Sequence, residues 1–544
     1  MKEGSALVGY PYISMWGGEA DPPYLFDSLY RSVERCPDRT AVVDGDRSFS
    51  YAALAAWAWE VEELLRARGV VPGDRVAVAC PRSAEAVVAL LAVAGCGATY
   101  VPLDIEYPLA RLEHMVRDSE PAVLLHLGER PDLGPEEIAQ RIPQPGTAPA
   151  SAAPPTRPGS ARIVEHDPDR DVYLIYTSGS TGWPKGVAIP YSCLDNMVAW
   201  QAAHSPAPDL RTAQFAPLNF DVSFQEILGT LCGAGTLHIV PESLRREPGQ
   251  LLDWLAEHRV QRLFLPYVAL QMLAVAADTA ARLELVEVNT AGEQVVCTDE
   301  IRRLFARLPG ARLVNHYGQS ESAMVTSHIL TGPSSGWPAL PPIGIPLPNC
   351  EVLIDPVAAD QPAVGELLVA GLPMSRGYRN QPELTAERYI DIPLSPHGHT
   401  RAFRTGDLVE LVDGELRFLT RVDDEVKLRG VRVNLLEVDA QLLAQPMVQA
   451  AATVVVRTRS GNRSLRSAVV LAGSPGPATA DDLISALRRV LPAVFVPVSV
   501  MVLPVLPRTP SGKIDRDAVA ALISEGLAGE RRARGSSLSQ ATAP

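Results

Sequence analysis

The chain has 544 residues, and 49 Lys and Arg against 63 Asp and Glu give a formal net charge of −14. With 47% hydrophobic and 21% charged residues, the composition excludes disorder as the main state, and the length allows roughly three or four domains or one large multi-lobed enzyme. A chain this acidic offers no broad basic face, so we expect neither nucleic acid nor an anionic membrane as a partner.

Apolar spacing in the first hundred residues predicts an alternation of helices and strands. Residues 51–68 and 85–93 have helical spacing, and short apolar runs at 74–80 and 99–103 predict strands. In the uncharged stretch 86–103, two glycines and a proline favour a buried helix, a turn and a strand over a membrane span. This rhythm is typical of an α/β domain with a parallel sheet.

Residues 128–168 interrupt this pattern. Their centre, 142–160, is rich in Pro, Ala, Gly and Ser, which favours a surface excursion of the first domain. A plain linker between two folded units is the alternative. A predicted strand at 171–176 then resumes the α/β pattern.

Three further predicted strands end in short segments that could bind a ligand. The strands and the segments that follow them are 261–265 with 266–267, 285–290 with 291–293, and 312–315 with 316–318. Ligands of open α/β sheets lie beyond the carboxyl ends of the strands. We therefore expect the three segments to be loops that line one cleft.

The elements become shorter beyond about residue 425. Predicted strands at 452–457, 467–472 and 498–503 and a predicted helix at 481–490, with Thr479 and Asp482 as a capping box, indicate a small α+β domain. We therefore predict a large α/β domain over 20–420 and a small domain over 424–525. Residues 526–544 are polar and are expected to form a disordered tail.

The cysteines and the first residues indicate the compartment. The odd number of cysteines and the lack of any C-x-x-C pair argue against a disulfide framework and against a cysteine zinc site; they are Cys36, Cys80, Cys96, Cys193, Cys232, Cys297 and Cys350. Residues 1–20 carry charges and no long apolar core, so no signal peptide is predicted. We expect a cytoplasmic protein.

The segment 176–186 carries the strongest chemical signal. It reads Tyr-Thr-Ser-Gly-Ser-Thr-Gly-Trp-Pro-Lys-Gly and follows a predicted strand. Glycines let backbone N–H groups converge on an anion, and the hydroxyls and Lys185 add donors and a positive charge. We interpret it as a phosphate loop without Walker A spacing. A Gly/Ser-rich turn that happens to contain a lysine is the alternative.

From this segment outward the chain resembles the adenylate-forming enzymes, which include nonribosomal peptide adenylation domains, acyl-CoA synthetases and luciferases. The similar motifs follow the family's order, and they include Ser-Phe-Ser-Tyr (48–51), Gly-Ala-Thr-Tyr-Val-Pro-Leu-Asp (97–104), Asn-Phe-Asp-Val-Ser (219–223), Asn-His-Tyr-Gly-Gln-Ser-Glu (315–321), Arg-Thr-Gly-Asp (404–407) and Pro-Ser-Gly-Lys-Ile-Asp-Arg (510–516). The resemblance implies a large multi-lobed N-terminal α/β domain and a small, mobile C-terminal α+β domain.

The resemblance also implies ATP as cosubstrate, with a carboxylate attacking its α-phosphate and pyrophosphate leaving. Tyr317 would stack on adenine, with Gly292 and Asn315 at its edge. Asp407 would accept bonds from the ribose hydroxyls, as a carboxylate can, and Arg421 would reach the ribose or a phosphate. The β- and γ-phosphates would lie on the phosphate loop, at Thr177, Ser178, Gly179, Ser180, Thr181, Gly182 and Lys185.

Cationic groups would stabilise the charge that spreads over the phosphate oxygens in this reaction. Glu321 matches the family's Mg²⁺-binding glutamate, and Thr177 would be a second contact of the metal. The expected catalytic residues are Lys513, Lys185 and Glu321. Lys513 would bridge the substrate carboxylate and the α-phosphate; a solvated surface lysine is the alternative. Asp423 matches the hinge at which the small domain rotates.

The chain departs from the family pattern at four positions near these motifs. Gln319 stands in place of a proline, and Ser320 in place of a threonine whose hydroxyl contacts the α-phosphate. Thr420 and Leu436 replace glycines. None of these changes removes a catalytic group.

Asp221 indicates which acid is activated. In amino-acid-activating relatives an aspartate at this place pairs with the substrate ammonium, whereas a carboxylate facing an apolar acyl chain would be costly to bury. A capping role at the start of a helix is the alternative. By the resemblance, the rest of the pocket is Val222, Gln225, Phe264, Asn289, Ala291, His316, Met324 and Val325.

This pocket resembles those that select L-proline. Asn289 departs from that pattern and leaves room for a modified proline or another small amino acid. His316 could also be a structural histidine, and no metal ligands stand near it in sequence. We expect a stand-alone enzyme that loads a separate phosphopantetheinylated carrier protein, with a small activating protein as a further possible partner. The alternatives are an acyl- or aryl-CoA ligase and a non-catalytic nucleotide-binding scaffold.

Overall fold

The computed structural model describes residues 10–145, 166–179, 182–277, 282–358, 360–422, 425–457, 463–471, 479–508 and 514–526. The chain divides into two compact units. Unit 1 comprises residues 1–105, 115–176 and 186–422, and unit 2 comprises residues 106–114, 177–185 and 423–544. Most of segment 142–160 and of the predicted tail lies outside the described residues, as does the Thr479 side chain.

The first part of the chain alternates strands and helices. Its elements are β1 (Ile13–Trp16), α1 (Leu25–Arg35), β2 (Thr40–Asp44), β3 (Arg47–Ser50), α2 (Tyr51–Ala67), β4 (Arg75–Ala79), α3 (Ala84–Gly95), β5 (Thr99–Leu103), α4 (Leu109–Ser119), β6 (Val123–His126), β7 (Ala139–Arg141), β8 (Asp171–Thr177), β9 (Lys185–Pro190) and α5 (Tyr191–His204). The helices predicted at 51–68 and 85–93 and the strands at 74–80, 99–103 and 171–176 are confirmed, with ends shifted by one or two residues.

The middle of the chain continues the alternation and then turns to antiparallel strands. Its elements are β10 (Arg211–Gln214), α6 (Asp221–Leu231), β11 (Thr236–Ile239), α7 (Pro248–Glu257), β12 (Arg262–Pro266), α8 (Tyr267–Ala276), β13 (Glu287–Ala291), α9 (Asp299–Ala306), β14 (Arg312–Gln319), β15 (Ala323–Leu330), β16 (Ile345–Pro346), β17 (Cys350–Pro356), β18 (Val364–Gly371), β19 (Gly377–Tyr378), α10 (Pro382–Arg388), β20 (Tyr389–Asp391), β21 (Arg401–Val412) and β22 (Glu415–Arg421).

The described strands of unit 1 form three sheets. One has the order β19-β9-β8-β5-β4-β6-β7 and a second the order β16-β15-β14-β13-β12-β10-β11-β2-β3. A third, antiparallel sheet runs β1-β17-β18-β21-β20, with β22 on β21. The first two sheets have parallel centres, which are typical of α/β proteins whose helices cover both faces.

Two helices show why the sequence folds this way. The Ser50 side chain accepts a hydrogen bond from Ala53 N and caps α2, whose apolar face includes the buried Trp57. Nearly all of α3 is buried, because its side chains are apolar on every face. The uncharged stretch 86–103 is thus a buried helix, a turn and a strand. No helix among the described residues is long and apolar enough to cross a membrane.

Beyond residue 424, the described part of unit 2 has an α+β arrangement. Its elements are β23 (Glu425–Leu428), β24 (Val431–Asn434), α11 (Leu435–Leu443), β25 (Val448–Arg457), β26 (Arg463–Leu471), α12 (Thr479–Arg488) and β27 (Val500–Val502). Strands β25 and β26 are antiparallel, and β27 lies parallel to β26. The elements predicted at 452–457, 467–472, 481–490 and 498–503 are confirmed within the described residues.

Two of the three predicted loops are wrong. Strand β14 does not end at Asn315 but continues through 316–318 to Gln319, because the side chains of this stretch are buried. Tyr267 directly begins α8, so no loop follows β12.

Candidate nucleotide and amino-acid site

Strands β12, β13 and β14 place four of the predicted pocket residues on one face of a sheet. Phe264 lies beside Asn289, and Asn289 lies beside Val314. Because side chains alternate along a strand, Ala291 and His316 point to the same side as these neighbours. The parallel register thus brings together residues that are far apart in the sequence.

A chain of buried hydrogen bonds links the pocket residues Asn289 and His316. Asn289 Nδ2 donates to Glu287 Oε1 at 3.1 Å, so its Oδ1 faces His316 Nε2 at 2.9 Å and accepts a hydrogen from it. Burial lowers the pKa of His316 to about 4. The ring is therefore neutral near pH 7 and protonated at Nε2, and its Nδ1 is a buried acceptor with no hydrogen-bond partner in the part of the chain that the structure describes.

Glu287 ends this series of hydrogen bonds and lies between two arginines. Arg262 Nε and Arg312 Nε each donate to one carboxylate oxygen of Glu287 at 2.9 Å. Burial acts to raise the pKa of Glu287, but the two guanidinium groups hold it below its ordinary value. Sequence reasoning missed these residues, although charged side chains inside apolar strands were a possible signal.

Helix α6 contributes the other pocket residues. Asp221 is its first residue and is half-buried, and its Oδ1 accepts from Val222 N at 2.9 Å. The N-cap position of α6 is Phe220 and carries no side-chain cap bond, so Asp221 does not cap the helix as the alternative had it. Gln225 Nε2 lies 3.7 Å from Met324 Sδ, which joins α6 to β15. Val325 is fully buried in the core.

Two of the residues predicted to bind the nucleoside, Tyr317 and Arg421, contact a third, Asp407. Its Oδ2 accepts from the Tyr317 hydroxyl at 2.5 Å, and its Oδ1 accepts from Arg421 Nη1 at 2.7 Å. Burial and the nearby carboxylate raise the pKa of Tyr317 above its ordinary value. Asn315 donates to Pro342 O at 2.8 Å, and Gly292 follows β13 with a φ of +87°. The site therefore contains a fixed carboxylate beside an aromatic ring.

A tight turn between β14 and β15 carries Glu321 and the half-buried Ser320. Glu321 has no exposed surface, and its Oε1 accepts from the Tyr378 hydroxyl at 2.8 Å. A Cβ at Gly318 would lie 1.7 Å from Ala323 O, so only glycine fits. Sequence reasoning gave Tyr378 no role.

The predicted phosphate loop belongs to unit 2, and all of it except residues 180 and 181 is described. Thr177 Oγ1 and Ser178 Oγ are buried and have no hydrogen-bond partner among the described residues, and Lys185 is buried at the start of β9. Gly179 has no room for a Cβ, which would lie 2.3 Å from Trp183 O. Unused hydroxyl donors and close backbone are the features that a phosphate group requires.

The carboxylate of Glu437 contacts this loop. Gly179 N donates to Glu437 Oε2 at 3.0 Å, and Arg111 Nη1 donates to Glu437 Oε1 at 2.5 Å. Burial raises the pKa of Glu437, and Arg111 opposes this shift. Gly182 O accepts from Gln441 Nε2 at 2.6 Å. The loop thus contacts an anionic side chain of the same unit, and its binding of ATP phosphates stays a prediction.

Four predicted site residues lie outside the described residues: Ser180, Thr181, Asp423 and Lys513. Their roles stay predictions. Within the described ranges, no group of three His, Cys, Asp or Glu side chains is suited to hold a metal ion. Because Mg²⁺ commonly takes one or two carboxylates plus substrate phosphates, Glu321 alone with a nucleotide would suffice.

The fold and the site define an adenylate-forming ligase. Residues 29–379 match the family described as AMP-binding enzyme, and residues 437–513 match the AMP-binding enzyme C-terminal domain. Because the first match spans more than half of the chain, the protein belongs to this family. AMP-binding enzymes use ATP.

Nonribosomal peptide synthetases are among its curated relatives. Tyrocidine synthase 2 of Brevibacillus parabrevis is 33% identical over 91% of this chain, and phosphinothricin tripeptide synthetase PhsC of Streptomyces viridochromogenes is 36% identical over 91%. The chain spans only 14% and 45% of these proteins.

Solved structures show the same fold. Holo-PA1221, a nonribosomal peptide synthetase protein with adenylation and PCP domains, has a TM-score of 0.76 at 26% identity, covering 92% of this chain and 84% of its own. IdnL1 has a TM-score of 0.74 at 27% identity, covering 90% of this chain and 100% of its own.

Proposed function

We propose that the protein activates an amino acid, L-proline in the first place, as aminoacyl-AMP and transfers it to the phosphopantetheine thiol of a carrier protein. This proposal rests on Asp221 at the start of α6. Of the residues expected to bind the nucleotide, all but Ser180 and Thr181 lie in the part of the chain that the structure describes. Relatives that are peptide synthetases, and a solved relative with a PCP domain, support the same class of reaction.

The side chains act on the nucleotide at three places. Asp407, held by Tyr317 and Arg421, accepts hydrogen bonds from the ribose. The hydroxyls of Thr177 and Ser178 and the buried Lys185 take the β- and γ-phosphates and stabilise the leaving pyrophosphate. The leaving group is the pyrophosphate of ATP. Glu321 would hold Mg²⁺, with Thr177 as a second contact, and the metal would supply charge that neutralises the phosphates.

The reaction forms one bond and breaks one bond at the α-phosphorus. A carboxylate oxygen of the amino acid attacks this phosphorus, and the bond to the bridging oxygen breaks as pyrophosphate leaves. Lys513 brings the two anions together and Ser320 contacts the α-phosphate. The thiol of the carrier then attacks the acyl carbon and releases AMP.

The amino acid lies with its ammonium at Asp221. Its side chain contacts a pocket of limited size in which Phe264, Ala291 and Val222 are apolar and Gln225 and His316 are polar. A small ring fits this composition, and a modified proline or another small amino acid is the second candidate. The carrier is expected to be a separate protein, and a small activating protein is a possible further partner.

The test is amino-acid-dependent ATP–pyrophosphate exchange with proline, hydroxyprolines, other amino acids, aryl acids and fatty acids. We expect exchange with L-proline well above the rest. Exchange with an aryl or fatty acid would make the protein an acyl- or aryl-CoA ligase, and exchange with no acid would support a non-catalytic scaffold.

A pair of variants tests the role of Asp221. Asp221→Asn removes the charge that holds the ammonium, so the KM for the amino acid should rise at least about tenfold while the KM for ATP is unchanged. Asp209→Asn is the control, because Asp209 forms an exposed ion pair with Arg39. Equal kinetics of the two variants would contradict the proposed role.

A further inference from the structure

Unit 1 buries a tyrosine hydroxyl that has no role in the proposed reaction. Tyr173 lies on β8 and is only 1% exposed, and its Oη has no hydrogen-bond partner among the described residues. An unpaired hydroxyl inside a protein costs free energy, because it has given up its hydrogen bonds to water. A buried hydroxyl of this kind therefore indicates a ligand that binds there.

Tyr173 packs on the helix that carries Asp221. Its ring stacks on Phe224 of α6, with 4.2 Å between the ring centroids and 17° between the planes. Phe224 follows Asp221 by three residues, so the two side chains lie on one face of α6. Gln225, four residues after Asp221, shares this face and contacts Met324 of the proposed pocket. Tyr173 thus lies against the helix face that the proposed amino-acid pocket uses.

The Asp221 carboxylate also acts on the Tyr173 hydroxyl electrostatically. Burial, and after it the negative charge of Asp221, raises the pKa of Tyr173 above its ordinary value. The hydroxyl is therefore neutral near pH 7, and its oxygen can accept a hydrogen bond. A neutral acceptor near a carboxylate suits a cation that carries more than one N–H donor.

We propose that Tyr173 is a binding residue for the substrate: its hydroxyl oxygen accepts one N–H of the ammonium group while Asp221 accepts another. This inference rests on the proposed function, in which the ammonium lies at Asp221. An ammonium bound by two groups has a fixed direction, whereas one bound by a single carboxylate can rotate. Tyr173 therefore orients the amino acid as well as binding it.

The test measures ATP–pyrophosphate exchange by Tyr173→Phe, with L-proline and ATP varied in turn. Phenylalanine keeps the ring on Phe224 and removes only the hydroxyl. The KM for L-proline should rise about tenfold, as expected for the loss of a hydrogen bond to a charged group. The KM for ATP should stay within about twofold.

A substrate analogue shows whether the effect concerns the ammonium. (S)-Tetrahydrofuran-2-carboxylate has the carboxylate and the ring size of L-proline, but an ether oxygen replaces the nitrogen. As an inhibitor of exchange, it should bind Tyr173→Phe and the unmodified protein equally, within about twofold. Inhibition that is tenfold weaker in the variant would show that Tyr173 only supports the pocket, and would overturn the inference. For another preferred amino acid, the acid that lacks its amino group serves as the analogue.

Tyr191→Phe is the matched control, because the Tyr191 hydroxyl is also buried but donates to Ala94 O at 3.0 Å. Its midpoint of urea unfolding should fall while both KM values are unchanged. The midpoint of Tyr173→Phe should stay equal or rise, because the free protein loses an unpaired hydroxyl.

The outcomes separate this inference from the proposed function. Exchange by Tyr173→Phe with an unaltered KM for the amino acid contradicts the inference alone, and so does an equal rise in the KM for ATP. Failure of the unmodified protein to exchange with any amino acid contradicts the proposed function, and the inference with it.

Discussion

At the scale of single residues, the pocket depends on a side chain that donates and accepts at once. The amide of Asn289 joins the fixed carboxylate of Glu287 to the ring of His316. An apolar residue at this position would leave His316 Nε2–H without a partner. The departure of Asn289 from the proline pattern therefore sets the tautomer and the orientation of a neighbour.

Asn289→Ala tests this link. The buried Nε2–H of His316 loses its acceptor, so the free energy of unfolding should fall by about 1–3 kcal/mol. The KM for the amino acid should rise about tenfold with little change in the KM for ATP, as measured by exchange.

Asn196→Ala is the matched control, because Asn196 is a buried amide that donates to Pro348 O. It should lower stability without a selective change in the KM for the amino acid. A selective change in the control variant, or none in Asn289→Ala, would contradict the link.

At the scale of elements, the hairpin of β14 and β15 carries seven of the predicted site residues that the structure describes. Its register shifts between Tyr317 and Gly318, and Ala323 has a positive φ of 47°. This irregular geometry brings Glu321 back into the protein at the tip of a turn. The hairpin is therefore a rigid support for Tyr317, Gln319 and Glu321.

Gly318→Ala should disrupt this support. The new methyl group would overlap a backbone carbonyl, so we expect the unfolding free energy to fall by at least about 2 kcal/mol and exchange to be lost. Urea unfolding and exchange assays measure both effects.

Gly249→Ala is the control for this substitution, since a Cβ at Gly249 meets nothing within 4 Å. Its effect should stay within about 0.5 kcal/mol, as is usual at exposed helical sites. Full exchange activity of Gly318→Ala would contradict this prediction, because the turn would then have moved to make room for the methyl group.

The sequence predicts regular elements better than it predicts this hairpin. Helices α2 and α3 follow from apolar spacing and a serine cap. The end of β14 does not, because Asn315, His316 and Tyr317 are polar residues whose burial depends on partners distant in sequence. The phosphate loop follows from its glycines and hydroxyls, whereas the contact of Glu437 with it requires the three-dimensional structure.

At the scale of the whole molecule, stability at mildly acidic pH depends on opposing groups in unit 1. Burial lowers the pKa of His238 and His316 to about 4 and raises the pKa of Asp195 and Glu226 to about 7. Below about pH 6.5 the two histidines are protonated in the unfolded chain but not in the folded chain, which lowers stability. The two carboxyls are protonated in the folded chain but not in the unfolded chain, which raises stability. These effects oppose each other, so we expect a flat stability profile between about pH 6 and 5.

His238→Leu should remove one of the two histidines that favour the unfolded chain at mildly acidic pH. Both ring nitrogens of His238 are buried, and within the described ranges neither has a hydrogen-bond partner, so the change should cost little at pH 7. Below pH 6.5 the unfolded variant no longer gains that proton. Its unfolding free energy should therefore rise relative to the unmodified protein by about 1.4 kcal/mol per pH unit, down to about pH 4.

Urea unfolding at pH 7, 6 and 5 measures this difference, with the fluorescence of Trp254, which lies next to His238, as a local probe. A difference that is independent of pH would show that His238 titrates alike in the folded and unfolded chains.

The alternation of side chains along β14 has a consequence for how this protein can change its substrate. His316 points to the face of the proposed amino-acid pocket, while its neighbours Asn315 and Tyr317 point to the other face, that of the proposed nucleoside site. Substitutions on the first face can therefore alter substrate choice and leave the shared cosubstrate chemistry intact. The insertion or deletion of a single residue would exchange the two faces and destroy both functions at once. This strand can thus diversify by point substitution but not by changes in length.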